Sequence, residues 1–297
     1  MSKGDVFIME NAWKGTIYPA IGTAESVGII ESVGAQTQGF EVGNRVGIGY
    51  ILGCCMSCEF CQTGLFQYCE QQKNTELGGW GGFGEHVVVD YRLVVKIPDG
   101  LASEEVTPMM CYGVTAFSGI KKASLKDKSK VGIIGLGGLG QILLKLLVAM
   151  GHEVTVFSHT PEKESVAQNM GANKFVLTTK SDWNKGVTKY FDLIINASPI
   201  DFDLNEYIVL LKALGKFCYL GLPFNRQSFQ TTKLADYGSR IIYGSYVGSI
   251  MELKEMLEFM KAKSVKPEII QYPIQEFEKA IKEIKTGIPY KRVVLKW

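Results

Sequence analysis

The stretch Val131–Lys163, VGIIGLGGLGQILLKLLVAMGHEVTVFSHTPEK, decides the fold. An apolar strand, VGIIG, is predicted at 131–135, then a turn through Gly135, Gly137 and Gly140, then a helix with apolar residues at three-to-four spacing. Gly151 ends the helix, and EVTVF at 153–157 reads as a second strand. This order matches the dinucleotide-binding fingerprint, in which glycines permit a tight turn and let backbone N–H groups reach a pyrophosphate. In a chain with 33 glycines the pattern alone says little; its place between strand and helix carries the reading. Gly135, Leu136, Gly137, Gly138, Leu139 and Gly140 are therefore the candidate phosphate-binding turn.

The end of the second strand selects the cofactor. An NAD site wants a carboxylate about 20 residues on, to accept from the ribose hydroxyls. Here Ser158 stands in its place, followed by His159 and Thr160. The two hydroxyls suit donation to a 2′-phosphate and Lys163 adds positive charge, so NADP(H) is expected over NAD(H). The same three residues also suit a turn and an N-cap before Pro161, and Glu162 and Glu164 are expected to face solvent.

Downstream, strands are predicted in 168–179, 190–198, 214–223 and 239–248, with a helix at 202–213. Alternating short strands and helices imply a parallel sheet covered on both faces. Strand ends bearing Ala197, Gly221, Gly244 and Ser245 are expected to ring the crevice beyond its carboxyl edge. The sequon Asn196–Ala197–Ser198 reads as a strand end. Helices near 250–262 and 274–286 precede a last strand, KRVVLK at 291–296.

Before this half, residues 1–20 carry little regular pattern, while VGIIESVG at 27–34 and GFEVGNRV at 39–46 read as short strands of a small barrel-like domain. The loop GCCMSCEFCQTGLFQYC then places Cys55, Cys58, Cys61 and Cys69 in C-x2-C-x2-C-x7-C spacing. Two-residue spacers let consecutive sulfurs turn toward one ion, and four thiolates suit tetrahedral zinc; an iron–sulfur cluster is the alternative. Four protein sulfurs close the coordination sphere, so the zinc is read as structural. Cys54 is an extra thiol. GGWGGFGEHVVVDYRLVVKIP at 78–98 returns to strands and turns, and a helix is expected over 102–117.

A length of 297 residues accommodates two domains. The net charge of +2 and hydrophobic fraction of 46% argue against disorder and against a nucleic-acid surface. Charged residues interrupt every long apolar run, so membrane insertion is not expected, and MSKGDVF is no secretory signal. Seven cysteines, four of them in metal-like spacing, favour the cytoplasm or another reducing intracellular compartment.

With YPAIGTAESVGIIESVG, VGNRVG, the cysteine loop, PMMCYGVTAF, GLGGLG and VFSHTPEK, the chain resembles the zinc-dependent medium-chain alcohol dehydrogenases, nearest their cinnamyl alcohol dehydrogenase branch. The resemblance implies a doubly wound Rossmann domain plus an incomplete chaperonin-like β-barrel domain. Expected boundaries are 1–112 for the barrel part, with the zinc loop at 54–69, then 113–265 for the nucleotide domain and 266–297 for the return to the barrel. It makes the four cysteines structural zinc ligands and gives cofactor contacts to Gly135, Gly137, Gly140, Ser158 and Lys163. The family's catalytic zinc does not carry over. Ser2 stands at one cysteine ligand, Ala24 at the histidine of G-H-E, and Gly4 at the hydroxyl that relays the alcohol proton. Only Cys111 remains at a ligand position, with Glu25 beside the lost histidine; Asp5, Glu25 and Cys111 are the residues an alternative metal site would use. The family also has several dozen residues before the equivalent of Met1, including barrel strands. A protein partner or homo-oligomer is therefore expected over the opened β domain. Two functions follow: an NADP(H)-dependent oxidoreductase of aldehydes, alcohols or enones with impaired zinc chemistry, or a degenerate dehydrogenase kept as an interaction subunit.

Overall fold

Ser2 opens the chain's first regular element, helix α1 (Lys3–Met9), where no pattern was expected. Its start is a capping box: Ser2 Oγ accepts from Asp5 N at 3.3 Å, and Asp5 Oδ2 accepts from Ser2 N at 2.6 Å. The helix has only 7 residues, too few to show a period. The computed structural model describes residues 1–12, 14–74, 81–236, 238–286 and 290–297; Gly78–Trp80 of the expected strand region lie outside them.

Five short strands follow: β1 (Ser26–Ile29), β2 (Arg45–Ile48), β3 (Ile51–Gly53), β4 (Lys73–Asn74) and β5 (Val94–Lys96). β1, β2 and β5 form an antiparallel sheet, while β3 pairs with β4. Among the described residues these sheets do not close into a barrel. The expected strand at 39–46 begins only at Arg45, because Gly39 and Gly43 both take positive φ and spend the preceding residues on turns. Within the cysteine loop lies α2 (Glu59–Gln62). The helix expected over 102–117 is broken into α3 (Ser103–Val106), a 3-10 turn at Thr107–Met109 and α4 (Tyr112–Ala123). Pro108 lacks the N–H that would continue the α3 ladder.

The nucleotide-type half contains β6 (Lys130–Ile134), α5 (Gly138–Ala149), β7 (Glu153–Ser158), α6 (Lys163–Asn169), β8 (Lys174–Leu177), β9 (Phe191–Asn196), α7 (Leu204–Ile208), β10 (Leu211–Tyr219), α8 (Thr231–Ala235) and β11 (Ile241–Gly244). The sheet is parallel throughout, in the order β11-β10-β9-β6-β7-β8. Val131, Ile133, Val154, Val156, Leu193, Ile194 and Ile195 are all fully buried, as expected of strands covered on both faces. The helix expected over 202–213 stops at Ile208. Leu211 already pairs with Phe191, and an irregularity around Leu214, at φ +60°, precedes the main run of β10. Here apolar spacing mimics a helix although the leucines belong to a bulged strand.

The chain ends with α9 (Ile250–Lys263), β12 (Ile269–Pro273), α10 (Phe277–Thr286) and β13 (Arg292–Lys296). β12 and β13 pair in parallel. Ser249 and Glu252 form a capping box on α9. One structural unit comprises Met1–Val114 and Val247–Trp297, the other Thr115–Tyr246. Residues 247–265 thus fall with the first unit, where Leu253 of α9 lines a small cavity with Leu93 and Met110. No described helix is long and apolar enough to cross a membrane.

Candidate functional site

The cysteine loop folds from its own sequence. Met56, at φ +60°, turns the chain so that the N–H groups of Ser57 and Cys58 point back at Cys55 Sγ, at 3.5 and 3.4 Å. Cys58 caps α2 and Cys61 lies within it; Gly64, at φ +76°, reverses the chain toward Cys69. Phe60 packs edge-on against Tyr68, with ring centroids 5.8 Å apart, and clamps the two arms. The four sulfurs lie within 4.8 Å of one another. Cys55 Sγ is 3.9 Å from Cys61 Sγ and 3.6 Å from Cys69 Sγ. Sulfurs about 2.3 Å from one tetrahedral ion stand about 3.8 Å apart, so the set converges as a single zinc requires. The Ser57 and Cys58 amides hold the Cys55 thiol down to about 6, while burial pushes Cys61 up. Cys54 turns instead to Phe66 O, at 3.5 Å, and burial pushes its thiol up to about 12.

The residues around Glu25 behave differently. Glu25 is buried, and its Oε1 accepts from Tyr112 N at 3.0 Å while Oε2 pairs with the buried Arg292 guanidinium. Arg292 also stacks on the Tyr112 ring, 4.0 Å from its centroid. Burial pushes the Glu25 carboxyl up, and the Arg292 charge opposes that shift. Asp5 is occupied in the α1 capping box. Among the described residues the four-cysteine set is the only metal-competent group; Asp5, Glu25 and Cys111 do not form a second. Thr23, next to Ala24, is buried at φ +68°, a left-handed conformation costly for a β-branched residue.

In the second unit, Gly135 leaves β6 at φ +89° and Gly137 is the N-cap of α5. A Cβ on Gly140 would stand 2.1 Å from Gly135 O, so the turn is as tight as a close-approach glycine requires. No side chain caps α5, and its first N–H groups have no intrahelical partner. Gly138 sits in that first turn, whereas Leu136 and Leu139 direct their side chains into the core and leave only backbone to the turn. Ser158 is the buried last residue of β7, and its Oγ accepts from Thr160 N at 3.1 Å. His159 is exposed, and Thr160 and Lys163 are half-buried. The turn is as expected, but the N-cap of α6 is Glu162. Glu162 and Glu164 are exposed.

Beyond β9, Ala197 N donates to Ile134 O at 3.0 Å, and Gly221 N donates to Asn196 O at 2.8 Å. Ala197 therefore lies beside the glycine turn, and Gly221 lies against Ala197 and Ser198. Gly244 closes the edge strand β11 and Ser245 follows it, and Ser245 Oγ accepts from Lys122 Nζ at 2.8 Å. Sequence reasoning missed two groups: the Glu25–Arg292 pair, whose members are 267 residues apart, and the side chain of Asn196. A polar residue closing an apolar strand was the one available hint of the latter.

Two family models match the chain: an alcohol dehydrogenase GroES-like domain over residues 1–99 and a zinc-binding dehydrogenase domain over 138–262. A probable cinnamyl alcohol dehydrogenase of Eucalyptus globulus is 34% identical over 304 residues, spanning 98% of this chain and 84% of the relative. Cinnamyl alcohol dehydrogenase 5 of Arabidopsis thaliana is 37% identical over 257 residues, spanning 84% and 72%. Among solved structures, a cinnamyl alcohol dehydrogenase from Sorghum bicolor superposes with a TM-score of 0.94 at 28% identity, covering 99% of this chain and 86% of its own. The Helicobacter pylori enzyme complexed with NADP(H) gives 0.90 at 30% identity, covering 99% and 87%. The open sheet of the first unit, the parallel sheet of the second and the convergent cysteines agree with these matches. The chain belongs to the zinc-type medium-chain alcohol dehydrogenase family, on its cinnamyl alcohol dehydrogenase branch, with a four-cysteine cluster of the structural kind.

Proposed function

We propose that the chain binds NADP(H) in its second unit and one structural zinc at Cys55, Cys58, Cys61 and Cys69, and reduces activated aldehydes or enones without a catalytic zinc. The observation that carries this reading is the commitment of Glu25 to Arg292 and Tyr112 N. Ala24 offers no donor atom, and Ser2 is engaged with Asp5. Cys111 alone cannot hold an ion, so the residues present do not fit the family's second metal. Gly4 likewise supplies no relay hydroxyl.

A bound nicotinamide supplies or accepts a hydride. The open N–H groups from Gly137 to Gly140 suit its pyrophosphate. Ser158 Oγ already accepts from Thr160 N, which leaves its O–H to donate to a 2′-phosphate, with Lys163 adding charge. The zinc cross-links the two arms of the cysteine loop. The relatives' names point to aryl-substituted propenals, in which a carbonyl is conjugated to a C=C bond; hydride can add to the β-carbon of such a bond without metal polarisation, and the enolate so formed takes its proton from solvent. The H. pylori relative's NADP(H) favours the phosphorylated cofactor. Thiols kept for metal suit a reducing intracellular compartment.

NADPH oxidation by the purified chain with a panel of aldehydes and enones tests the reading. Turnover is expected with conjugated substrates and insensitive to chelators. Zinc-dependent oxidation of simple alcohols would overturn it. Ser158→Asp should weaken NADPH at least about tenfold through repulsion of the 2′-phosphate; equal affinity of the parent for NADPH and NADH would remove the cofactor assignment.

One observation favours a second reading. β1 has an unpaired outer edge among the described residues, and Ile29 is 58% exposed, with Val33 and Val42 also exposed. A partner chain or second copy covering this edge would make the protein an interaction subunit, with dinucleotide and zinc stabilising its folded state. Crosslinking and native mass from the source cell distinguish the two: an unpartnered, actively reducing chain excludes the second.

A further inference from the structure

β6 and β9 lie side by side with Ile134 opposite Asn196, and the order of the sheet reverses between them. In an open parallel sheet the ligand lies across the carboxyl ends at this reversal. Asn196 closes β9 and is fully buried. Its Nδ2 donates to Ser198 O and to Gly221 O, both at 3.0 Å, and its Oδ1 accepts from Ser198 N at 3.0 Å. Both amide hydrogens are used, on two different turns.

Ser198 is held from two further sides. A Cβ on Gly135 would stand 3.0 Å from Ser198 Cβ, and one on Gly221 would stand 2.5 Å from Ser198 O. Ser198 Oγ accepts from Ile200 N at 3.1 Å, which folds the following residues back. The turns after β6, β9 and β10 thus meet at Ser198, and Asn196 is the side chain that ties the second to the third. No other short side chain does this. Aspartate would set carboxylate oxygens against two carbonyls, serine has one hydrogen to give, and alanine has none.

We propose that Asn196 is a positioning residue for the nicotinamide half of a bound dinucleotide, holding the Ser198 and Gly221 turns at the spacing that leaves room beside Gly135. This rests on the nucleotide reading above. Ser158, at the end of β7, and Lys163, at the start of α6, take the adenosine phosphate on one side of the reversal. The other half then extends over β9 and β10, where Asn196 acts.

Calorimetry with NADPH and with adenosine 2′,5′-bisphosphate separates the two halves. The parent chain should bind both. Asn196→Ala and Asn196→Asp should each lose NADPH affinity by at least about tenfold, since both lack the donated pair, while adenosine 2′,5′-bisphosphate stays within about twofold. Gly221→Ala displaces the same turn with the amide intact and should show the same split, which covers the case of an insoluble Asn196 variant. Unchanged NADPH affinity in the folded variants, or equal loss for both ligands, overturns the proposal. Failure of the parent to bind adenosine 2′,5′-bisphosphate overturns the nucleotide reading itself, and this proposal with it.

Discussion

The cysteine loop and the Glu25 corner both hold side chains able to ligate a metal, but their donor atoms are committed differently. In the loop, four sulfurs face one another within 4.8 Å, and at Cys55 the amide N–H groups of Ser57 and Cys58 favour the thiolate. At the corner, both carboxylate oxygens of Glu25 already accept from the protein, one from Tyr112 N and one from Arg292. An ion offered to the loop meets free lone pairs; an ion offered to the corner must displace a buried guanidinium. The presence of ligand-type side chains therefore says less than the state of their lone pairs.

Removing the guanidinium breaks this comparison most directly. Arg292→Met leaves the Glu25 carboxylate buried against a single N–H, and should cost about 3–5 kcal/mol in chemical denaturation. Glu25→Leu combined with Arg292→Met should recover much of that loss, because the pair leaves together. A loss below about 1 kcal/mol in the single variant would mean that Glu25 is not committed to Arg292, and the contrast with the loop would disappear.

Thr23 sharpens the same contrast with a smaller effect and the opposite sign. Its φ of +68° stores strain next to the residue that replaces the histidine ligand. Thr23→Gly should raise stability by about 0.5–1 kcal/mol, after the added chain entropy of glycine and the lost methyl are subtracted. A decrease in melting temperature would place the strain elsewhere. The smallest effect belongs to Cys54, whose thiol turns to Phe66 O and is no member of the convergent set. Cys54→Ser should leave zinc content unchanged and shift stability by no more than about 0.5 kcal/mol. Loss of the ion would make Cys54 a ligand.

What was legible in the sequence follows from range. The cysteine spacing and the strand–glycine–helix order are local, and the structure builds both from neighbouring residues. Gly140 must be glycine because Gly135 O, five residues away, occupies the place of its side chain. The α1 capping box was legible in principle, as S-x-x-D, but it lay in a stretch aligned by resemblance to a ligand motif and too short to show a period. The leucines near 211–214 carried a helical spacing that the bulge in β10 overrides. Arg292 and Glu25 meet only after the last strand is in place, so no spacing announces them. Asn196 looked like punctuation, because its bonds reach a turn 25 residues on.

Zinc content per chain, measured on the exhaustively dialysed parent and on Cys58→Ala, tests the central claim most directly. One ion in the parent and none in the variant is the predicted result. Two ions in the parent would place a second metal outside the cysteine loop, and one remaining in the variant would remove Cys58 from the ligand set; either result would contradict the account.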